Sequence, residues 1–147
     1  MNTYGFMDVQ ASIDGPGGSF QLGSGSGNAE EGITVEPTGD KNIMTIGADG
    51  SVMHSLRADA SGTVTVTLLR TSPTNARLQN LYNYQTASSR NHGRNTIIIR
   101  NPVSGDMITC TEVAFAKGIA TPYAVEGAKL AWTFHAGKID TKLGAGA

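Results

Sequence analysis

The sequence predicts a mostly β protein: an antiparallel β-sandwich or half-barrel with one flanking α-helix. Two segments, 63–68 and 128–136, alternate polar and apolar side chains, which is typical of a strand with one buried and one polar face. The 19 glycines among 147 residues exceed the usual share and indicate many turns. A helical spacing of apolar residues is found in one stretch, at about residues 73–87.

Composition bounds the size and the class of the protein. A chain of 147 residues can bury a sizeable core, so we expect a single domain over residues 1–147. Charged residues make up 16% and the formal net charge is −1, which disfavours a basic grip on nucleic acid. We expect no signal peptide and no membrane segment. Cys110, the sole cysteine, fits a buried position in a protein made in a reducing cytoplasm.

The first half of the chain is predicted to form short strands between glycine-rich turns. A strand within 4–13 precedes the turn signal Asp14-Gly15-Pro16-Gly17-Gly18. We expect a mobile loop around residues 15–32, because its glycine and serine run is too rich in glycine to hold regular structure alone. The remaining strands of this half are predicted at 33–36, 43–46 and 63–68.

The helix is predicted from its start signal and its spacing. Ser72 can cap the free amides, and Pro73 at the first helical position loses no hydrogen bond. Leu78, Leu81 and Tyr82 follow at helical spacing and form a narrow apolar stripe. After the polar loop that follows, we expect strands at 96–100, 107–116 and 128–136, and an extended C-terminal tail over 138–147.

No residue pattern predicts catalysis, a metal site or a cofactor site. His54, His92 and His135 are far apart and lack the spacing of metal ligands. Neither a nucleophile elbow nor an activated cysteine motif occurs. The glycine run at 23–27 is not followed by a helix and lacks the lysine of a phosphate-binding loop. We therefore expect a structural protein, not an enzyme, with no catalytic, cofactor-binding or metal-binding residues.

Several short motifs follow one another along the chain in a definite order. They are Gly32-Ile33-Thr34-Val35-Glu36, Gly47-Ala48-Asp49-Gly50, the run from Ser61 to Leu69, the helix from Thr71 to Leu81, Asn101-Pro102-Val103-Ser104-Gly105-Asp106 and Trp132-Thr133-Phe134. Each is ordinary strand or turn chemistry, but together they cover nearly the whole chain. In this order they resemble the tail tube proteins of contractile-tailed phages, which are related to secretion-system tube proteins.

The resemblance implies a subunit that assembles into hexameric rings, whose strands form a continuous β-barrel around a lumen. Stacked rings would form the phage tail tube of the virion, inside a contractile sheath or alone in a non-contractile tail. The implied partners are further copies of the chain, the tail sheath, the baseplate and the tail terminator. Genome DNA would pass through the lumen without specific binding, and the protein would be made in the host cytoplasm.

Candidate residues follow for the lumen and for contacts between subunits. A lumen passed by DNA should expose hydroxyls and carboxylates, because each cationic phosphate contact adds affinity. Lys129, on the polar face of the last strand, would have to point elsewhere or pair with an acid. The lumen candidates are Thr63, Thr65, Thr67 and Glu112. The candidates for inter-ring and inter-subunit contacts are Gly23, Gly25, Gly27, Pro102, Gly105 and Lys138.

Two other interpretations remain open at this point. The first is a soluble β-sandwich binding module, for example one that recognises carbohydrate, although Trp132 shares the apolar strand face with Leu130 and Phe134. The second is another virion part of the same fold, such as a baseplate or tail-terminator protein. The oligomeric state of the purified protein separates the first interpretation from self-assembly.

Overall fold

Nine strands and one helix are formed by residues 9–24, 32–121, 123 and 129–145, the part of the chain that the computed structural model describes. This confirms the prediction of a mostly β, antiparallel fold with a flanking helix. The elements are β1 (Gln10–Gly15), β2 (Gly18–Ser24), β3 (Ile33–Pro37), β4 (Asn42–Ile46), β5 (Val52–Leu56), β6 (Gly62–Leu68), α1 (Thr74–Thr86), β7 (Asn95–Asn101), β8 (Asp106–Phe115) and β9 (Leu130–Lys142).

Seven of the strands form one antiparallel sheet in the order β2-β1-β7-β8-β9-β6-β3. The longest strand, β9, has 13 residues and pairs with β6 through its first half and with β8 through its second half. The other two strands, β4 and β5, form a separate two-stranded sheet. This β4–β5 hairpin connects β3 to β6, so it leaves the large sheet at the β3 edge.

The core lies between one face of the large sheet and α1. Along β6 the buried Val64, Val66 and Leu68 alternate with half-buried threonines, as the sequence predicts. Leu78 and Leu81 of α1 are buried in the same cluster. Fully burying an aliphatic side chain of this size contributes about 1.5–3 kcal/mol, so the helix is held chiefly by this apolar contact.

Aromatic side chains fill the centre of the core. Phe115 contacts Tyr82 of α1 edge to face, with ring centroids 5.5 Å apart, and also contacts Phe134 at 4.7 Å. Trp132 is only 1% exposed, and its indole N–H donates a hydrogen bond of 3.0 Å to the side-chain oxygen of Asn75. A buried indole N–H needs such a partner, so the bond fixes the first turn of α1 on β9.

The start of α1 follows the predicted chemistry. Pro73 directly precedes the helix and has helical backbone angles, φ −67° and ψ −17°, so its missing N–H costs the helix no hydrogen bond. The Ser72 hydroxyl accepts a hydrogen bond of 3.3 Å from the amide of Thr74. Asn75 adds a side-chain bond of 2.9 Å to the carbonyl of Leu69. The helix then runs from Thr74 to Thr86, within one residue of the predicted bounds.

Two predicted boundaries are corrected by the structure. Residues Gly18–Ser24, placed in the predicted loop around 15–32, form β2 and pair with β1. The predicted tail over 138–147 is strand as far as Lys142, which pairs with Met107 of β8. Both segments are stabilised by backbone hydrogen bonds to a neighbouring strand, which require no apolar side chain. Residues 25–31 of the predicted loop and 146–147 of the tail lie outside the described residues.

Candidate assembly surfaces

The β4–β5 hairpin carries large apolar side chains that the subunit itself does not cover. Leu56 is 85% exposed and Met44 is 59% exposed, although a soluble monomer seldom leaves several such side chains together in water. Isolated two-stranded hairpins are marginally stable. Contact of these side chains with a further protein surface would remove them from water and stabilise the hairpin. The exposed large apolar residues of the hairpin are Ile43, Met44, Ile46, Val52, Met53 and Leu56.

The register of the hairpin sorts these side chains onto two faces. Ile46 lies opposite Val52, and Met44 lies opposite His54, so these residues share a face. The same face carries Leu56, opposite Asn42. The other face carries Ile43 and Met53, together with Thr45 and Ser55. Both faces are thus partly apolar, and the first face is the larger apolar surface.

The hairpin tip is held by a compact turn that presents a carboxylate. The amide of Gly47 donates to the Ser51 carbonyl at 2.8 Å, and Gly50 has φ +87°, which glycine adopts without strain. Oδ1 of Asp49 accepts hydrogen bonds from the Ser51 hydroxyl at 2.7 Å and from the Ser51 amide at 3.1 Å. The hydrogen bond from the Ser51 hydroxyl, and to a smaller extent the one from the Ser51 amide, hold the pKa of the Asp49 carboxyl below its ordinary value. The tip is therefore anionic at neutral pH.

The hairpin base is anchored to the large sheet. The amide of Thr38 donates to the Ser61 carbonyl at 3.0 Å, and the amide of Ile139 in β9 donates to the Ala60 carbonyl at 2.8 Å. The Asp59 carboxylate accepts from the Ser61 hydroxyl at 2.6 Å. These bonds join both arms of the hairpin to the point where β3 ends and β6 begins. The hairpin therefore leaves the sheet from a defined base.

The face of the large sheet opposite α1 is lined with hydroxyl groups at its β6 end. Thr63, Thr65 and Thr67 are half-buried and alternate with the buried core residues of β6. Thr65 lies opposite Thr34 of β3 on one side and Thr133 of β9 on the other. The three predicted lumen threonines thus share one face, which we call the open face.

Glu112, the fourth lumen candidate, lies on the same open face because β8 is bulged there. Its φ is +54°, in the left-handed region that few non-glycine residues adopt, and the β7–β8 register shifts between Asn95 and Ile97. Ala136 is buried, so alternation along β9 points a side chain at position 137 to the open face. A Cβ built at Gly137 would lie 2.9 Å from both Cβ and Oε2 of Glu112. The glutamate therefore covers Gly137 on the open side.

The candidate contact residues are only partly brought together. Gly23 pairs with Ala11 near the end of β2, and the β7–β8 turn that holds Pro102 and Gly105 lies at that same end of the sheet. Gly105 has φ +87°, as this turn requires. Lys138 lies further along β9, opposite Thr111. Gly25 and Gly27 lie outside the described residues.

Sequence reasoning missed the apolar hairpin as a surface. The strand predicted at 43–46 corresponds to β4, but the prediction contains no strand for β5. Apolar side chains occur in both phases of the run 43–56, so no single buried face is indicated. The sequence feature that indicates such a surface is a run with apolar side chains at both odd and even positions beside a tight turn.

The described residues contain neither a membrane-spanning helix nor a metal cluster. Their one helix, α1, is not long and apolar enough to cross a bilayer. No three His, Cys, Asp or Glu side chains lie close enough together there to hold a metal ion. Cys110 is buried, and burial raises the pKa of its thiol to about 11, which disfavours the reactive thiolate at neutral pH.

Comparison with known families and structures gives a consistent result. The sequence matches the model of the family described as the bacteriophage PhiTE tail tube protein over residues 1–144. A search of curated proteins finds no significant match.

Several solved assemblies share the fold. A chain of the sheath-tube complex of the extracellular contractile injection system PVC, in the extended state, has a TM-score of 0.60 at 11% identity and covers 96% of this chain and 92% of that chain. A chain of the sheath/tube terminator of the same system has a TM-score of 0.61 at 11% identity and covers 97% of this chain and 98% of that chain. A chain of the tube-terminating cap of the anti-feeding prophage has a TM-score of 0.54 at 11% identity and covers 97% of this chain and 93% of that chain. At this identity the likeness shows the fold alone.

Proposed function

Because the chain belongs to the bacteriophage PhiTE tail tube protein family, we propose that it forms hexameric rings that stack into the tube of a contractile tail. The protein is a structural component of the phage tail and not an enzyme. The whole chain acts as one tube domain in this proposal. Its role is passive, since the tube serves as a conduit for genome delivery.

The exposed apolar hairpin is the observation that carries the proposal. Six large apolar side chains on β4 and β5 are between 49% and 85% exposed in the isolated subunit. Transfer of apolar surface from water contributes about 25 cal/mol per Å². Burial of the larger apolar face of the hairpin, which carries Ile46 and Val52, against a further copy of the chain would stabilise the hairpin and the assembly together.

Ring closure is supported by the two edges of the large sheet. β2 and β3 are the outermost strands, so each has backbone groups on one side that no other strand of this sheet pairs. A head-to-tail contact between the β3 edge of one subunit and the β2 edge of the next closes into a ring when its rotation allows. The sheets of neighbouring subunits would then form a continuous barrel.

The open face is the surface proposed to line the lumen. Its hydroxyls, Thr63, Thr65 and Thr67, hold no positive charge and attract phosphate weakly. Glu112 adds a carboxylate that repels DNA. Ile139 packs against the core, so its neighbour Lys138 points to the open face, where a cation offsets some of that repulsion. Genome DNA would therefore pass without specific binding.

The proposed partners lie outside and at the ends of the tube. With the open face inward, α1 faces outward, where a tail sheath would surround the ring. One structural relative is a chain of a sheath-tube complex and another is a chain of a sheath/tube terminator. We include sheath and terminator as partners on that basis, and the baseplate because the family resemblance implies it. The subunit would be made in the host cytoplasm and act in the virion tail.

A tube-ending role is the second candidate, because the terminator chain is as similar in fold as the tube chain. A terminator would stop at one ring, whereas a tube subunit would continue to add rings. A carbohydrate-binding module has less support. Trp132, the only tryptophan, is 1% exposed in the core and offers no aromatic surface to a sugar.

Assembly of the purified protein tests the proposal. At high concentration and neutral pH we expect rings and tubes by negative-stain microscopy and light scattering. The double variant Ile46→Asn with Val52→Asn should raise the protein concentration needed for assembly by about tenfold or more, because buried apolar side chains dominate the affinity of contacts between subunits.

A matched control is Thr45→Asn, a polar substitution on the other face of the same hairpin, which should leave assembly nearly unchanged. Circular dichroism should show that all variants keep the folded subunit. A strictly monomeric wild-type protein at millimolar concentration would contradict self-assembly. Single rings that never stack would favour the terminator.

A further inference from the structure

An open groove lies between α1 and the turn that joins β1 to β2. Its volume is about 600 Å³. The apolar side chains of Phe20, Leu81 and Tyr84 line it, and Arg77 and Asn80 of α1 add a cation and an amide. Tyr84 remains 53% exposed and Arg77 is exposed. The subunit thus presents a partly apolar groove with a guanidinium group beside it.

The groove is shaped by a glycine that no other residue could replace without strain. Gly17 has φ +100°, and a Cβ at this position would lie 2.6 Å from Cδ1 of Tyr84. The bare backbone of the turn therefore lies against the tyrosine ring. Next to it, a Cβ at Gly18 would lie 3.8 Å from Leu81, at ordinary contact distance. The turn and the helix together form a fixed wall.

The tip of the β4–β5 hairpin has the complementary chemistry. Ile46 and Val52 face each other next to the turn, and each is 54% exposed. Beyond them, the Asp49 carboxylate uses Oδ1 for both of its hydrogen bonds to Ser51, and a carboxylate has a second oxygen that can accept from another donor. An apolar pair beside an anion on the tip matches apolar walls beside a cation in the groove.

The sheet places the groove and the hairpin base at the same level on opposite edges. At the β3 edge, the base begins where Pro37 pairs with Gly62. At the β2 edge, the groove begins at the turn closed by Gly15 and Gly18. The strand pairs that connect these positions across the sheet are Pro37 with Gly62, Gly62 with Ala136, Ala136 with Val113, Val113 with Asn95, Thr96 with Asp14, and Gly15 with Gly18.

A ring brings these two edges next to each other. In a head-to-tail arrangement, the β3 edge of each subunit faces the β2 edge of its neighbour, so the hairpin base lies beside the neighbour's groove. A strand of five residues, such as β4, extends roughly 16 Å. That length suffices to carry the tip from one edge onto the adjacent helix.

We propose that the tip of the β4–β5 hairpin docks into the α1 groove of the neighbouring copy in the ring. Ile46 and Val52 pack against the apolar walls of the groove. Asp49 pairs with Arg77. The inference rests on the proposed self-assembly and names the surface that receives the hairpin. The apolar contact supplies most of the affinity, while the ion pair selects the register of docking.

A charge exchange tests the pairing. Arg77→Glu alone and Asp49→Arg alone should each weaken assembly about tenfold, because each places like charges together. The double variant, Asp49→Arg with Arg77→Glu, should restore assembly to near the wild-type level. Arg90→Glu is the matched control, since it makes the same charge change at an exposed site outside the groove. It should leave assembly unchanged and should not rescue Asp49→Arg.

A cross-link provides a second measurement that does not depend on charge. Asp49→Cys combined with Asn80→Cys should form disulfides between neighbouring subunits, seen as a ladder of oligomers on a non-reducing gel, because a disulfide needs Cα atoms within about 7 Å. Asp49→Cys with Arg90→Cys should give none. Cys110 is buried and does not compete.

The outcomes separate this inference from the proposed function. If Arg77→Glu assembles normally, or the charge exchange fails to rescue and no ladder forms, the groove does not receive the hairpin. Assembly itself would still stand if the Ile46→Asn and Val52→Asn variant remained defective. A wild-type protein that never assembles would overturn both.

Discussion

Gln85 and Asn95 form a buried amide pair that ties α1 to the sheet. Both side chains are 0% exposed. Each amide donates to the other, at 2.6 Å and 2.7 Å, and Asn95 also donates to the Val113 carbonyl at 3.1 Å. Gln85 adds a bond of 3.0 Å to the Pro16 carbonyl, and a Cβ at Gly15 would overlap the Asn95 side chain. The pair therefore fixes the end of α1 against the β1–β2 turn and the β8 bulge.

Removing one member of this pair should be costly. Asn95→Ala removes the hydrogen bonds that Asn95 donates to the buried side-chain oxygen of Gln85 and to the Val113 carbonyl, and we expect a loss of about 2–3 kcal/mol in the free energy of unfolding. Chemical denaturation followed by circular dichroism measures the loss. Asn83→Ala, at an exposed position of α1, serves as the control and should cost less than about 0.5 kcal/mol. Equal losses would show that the pair has no special role.

At the scale of elements, the bulge in β8 at Glu112 lies against a glycine, Gly137, in the neighbouring strand β9. Glu112 adopts φ +54°, and Gly137 of the neighbouring strand lacks the side chain that would meet it. A left-handed conformation costs a non-glycine residue about 1–2 kcal/mol. The bulge aims the glutamate over the open face, and the glycine makes room for it. The two positions therefore form one structural unit.

A double-mutant cycle tests this unit. Gly137→Ala should cost about 2 kcal/mol, because the new Cβ overlaps Glu112. Glu112→Gly should stabilise the fold by about 0.5–1 kcal/mol. The substitution removes the backbone strain at this position, and the greater flexibility of glycine in the unfolded chain offsets part of that gain. In the Glu112→Gly background, Gly137→Ala should cost less than half as much. Gly39→Ala, where the nearest atom to a new Cβ is 4.0 Å away, is the control. Additive losses would refute the coupling.

At the scale of the whole molecule, the fold separates three surfaces. The open face carries the threonines of β6, the opposite side carries α1, and the hairpin leaves from the β3 edge. In the proposed tube these surfaces face the lumen, the outside and the neighbouring copy.

Selective labelling of assembled tubes tests which surface is internal. In tubes of Thr65→Cys, a small maleimide should react while a maleimide carrying a large polymer should not, because the lumen admits only the small reagent. In tubes of Asn83→Cys, on the exposed side of α1, both reagents should react. Cys110 is buried and its thiol has a pKa of about 11, so background labelling should be slow. Rapid reaction of Thr65→Cys with the large reagent would place the open face outside.

Sequence by itself determined the features that local patterns encode. The alternation over 63–68 assigned the buried and polar faces of β6, and Ser72 with Pro73 marked the start of α1. Tertiary structure alone decided the pairing of β2, the bulge at Glu112, the exposure of the hairpin and the position of the groove. Strand pairing joins residues as distant as Val66 and Trp132 through backbone hydrogen bonds, which leave no periodic signature in the side chains.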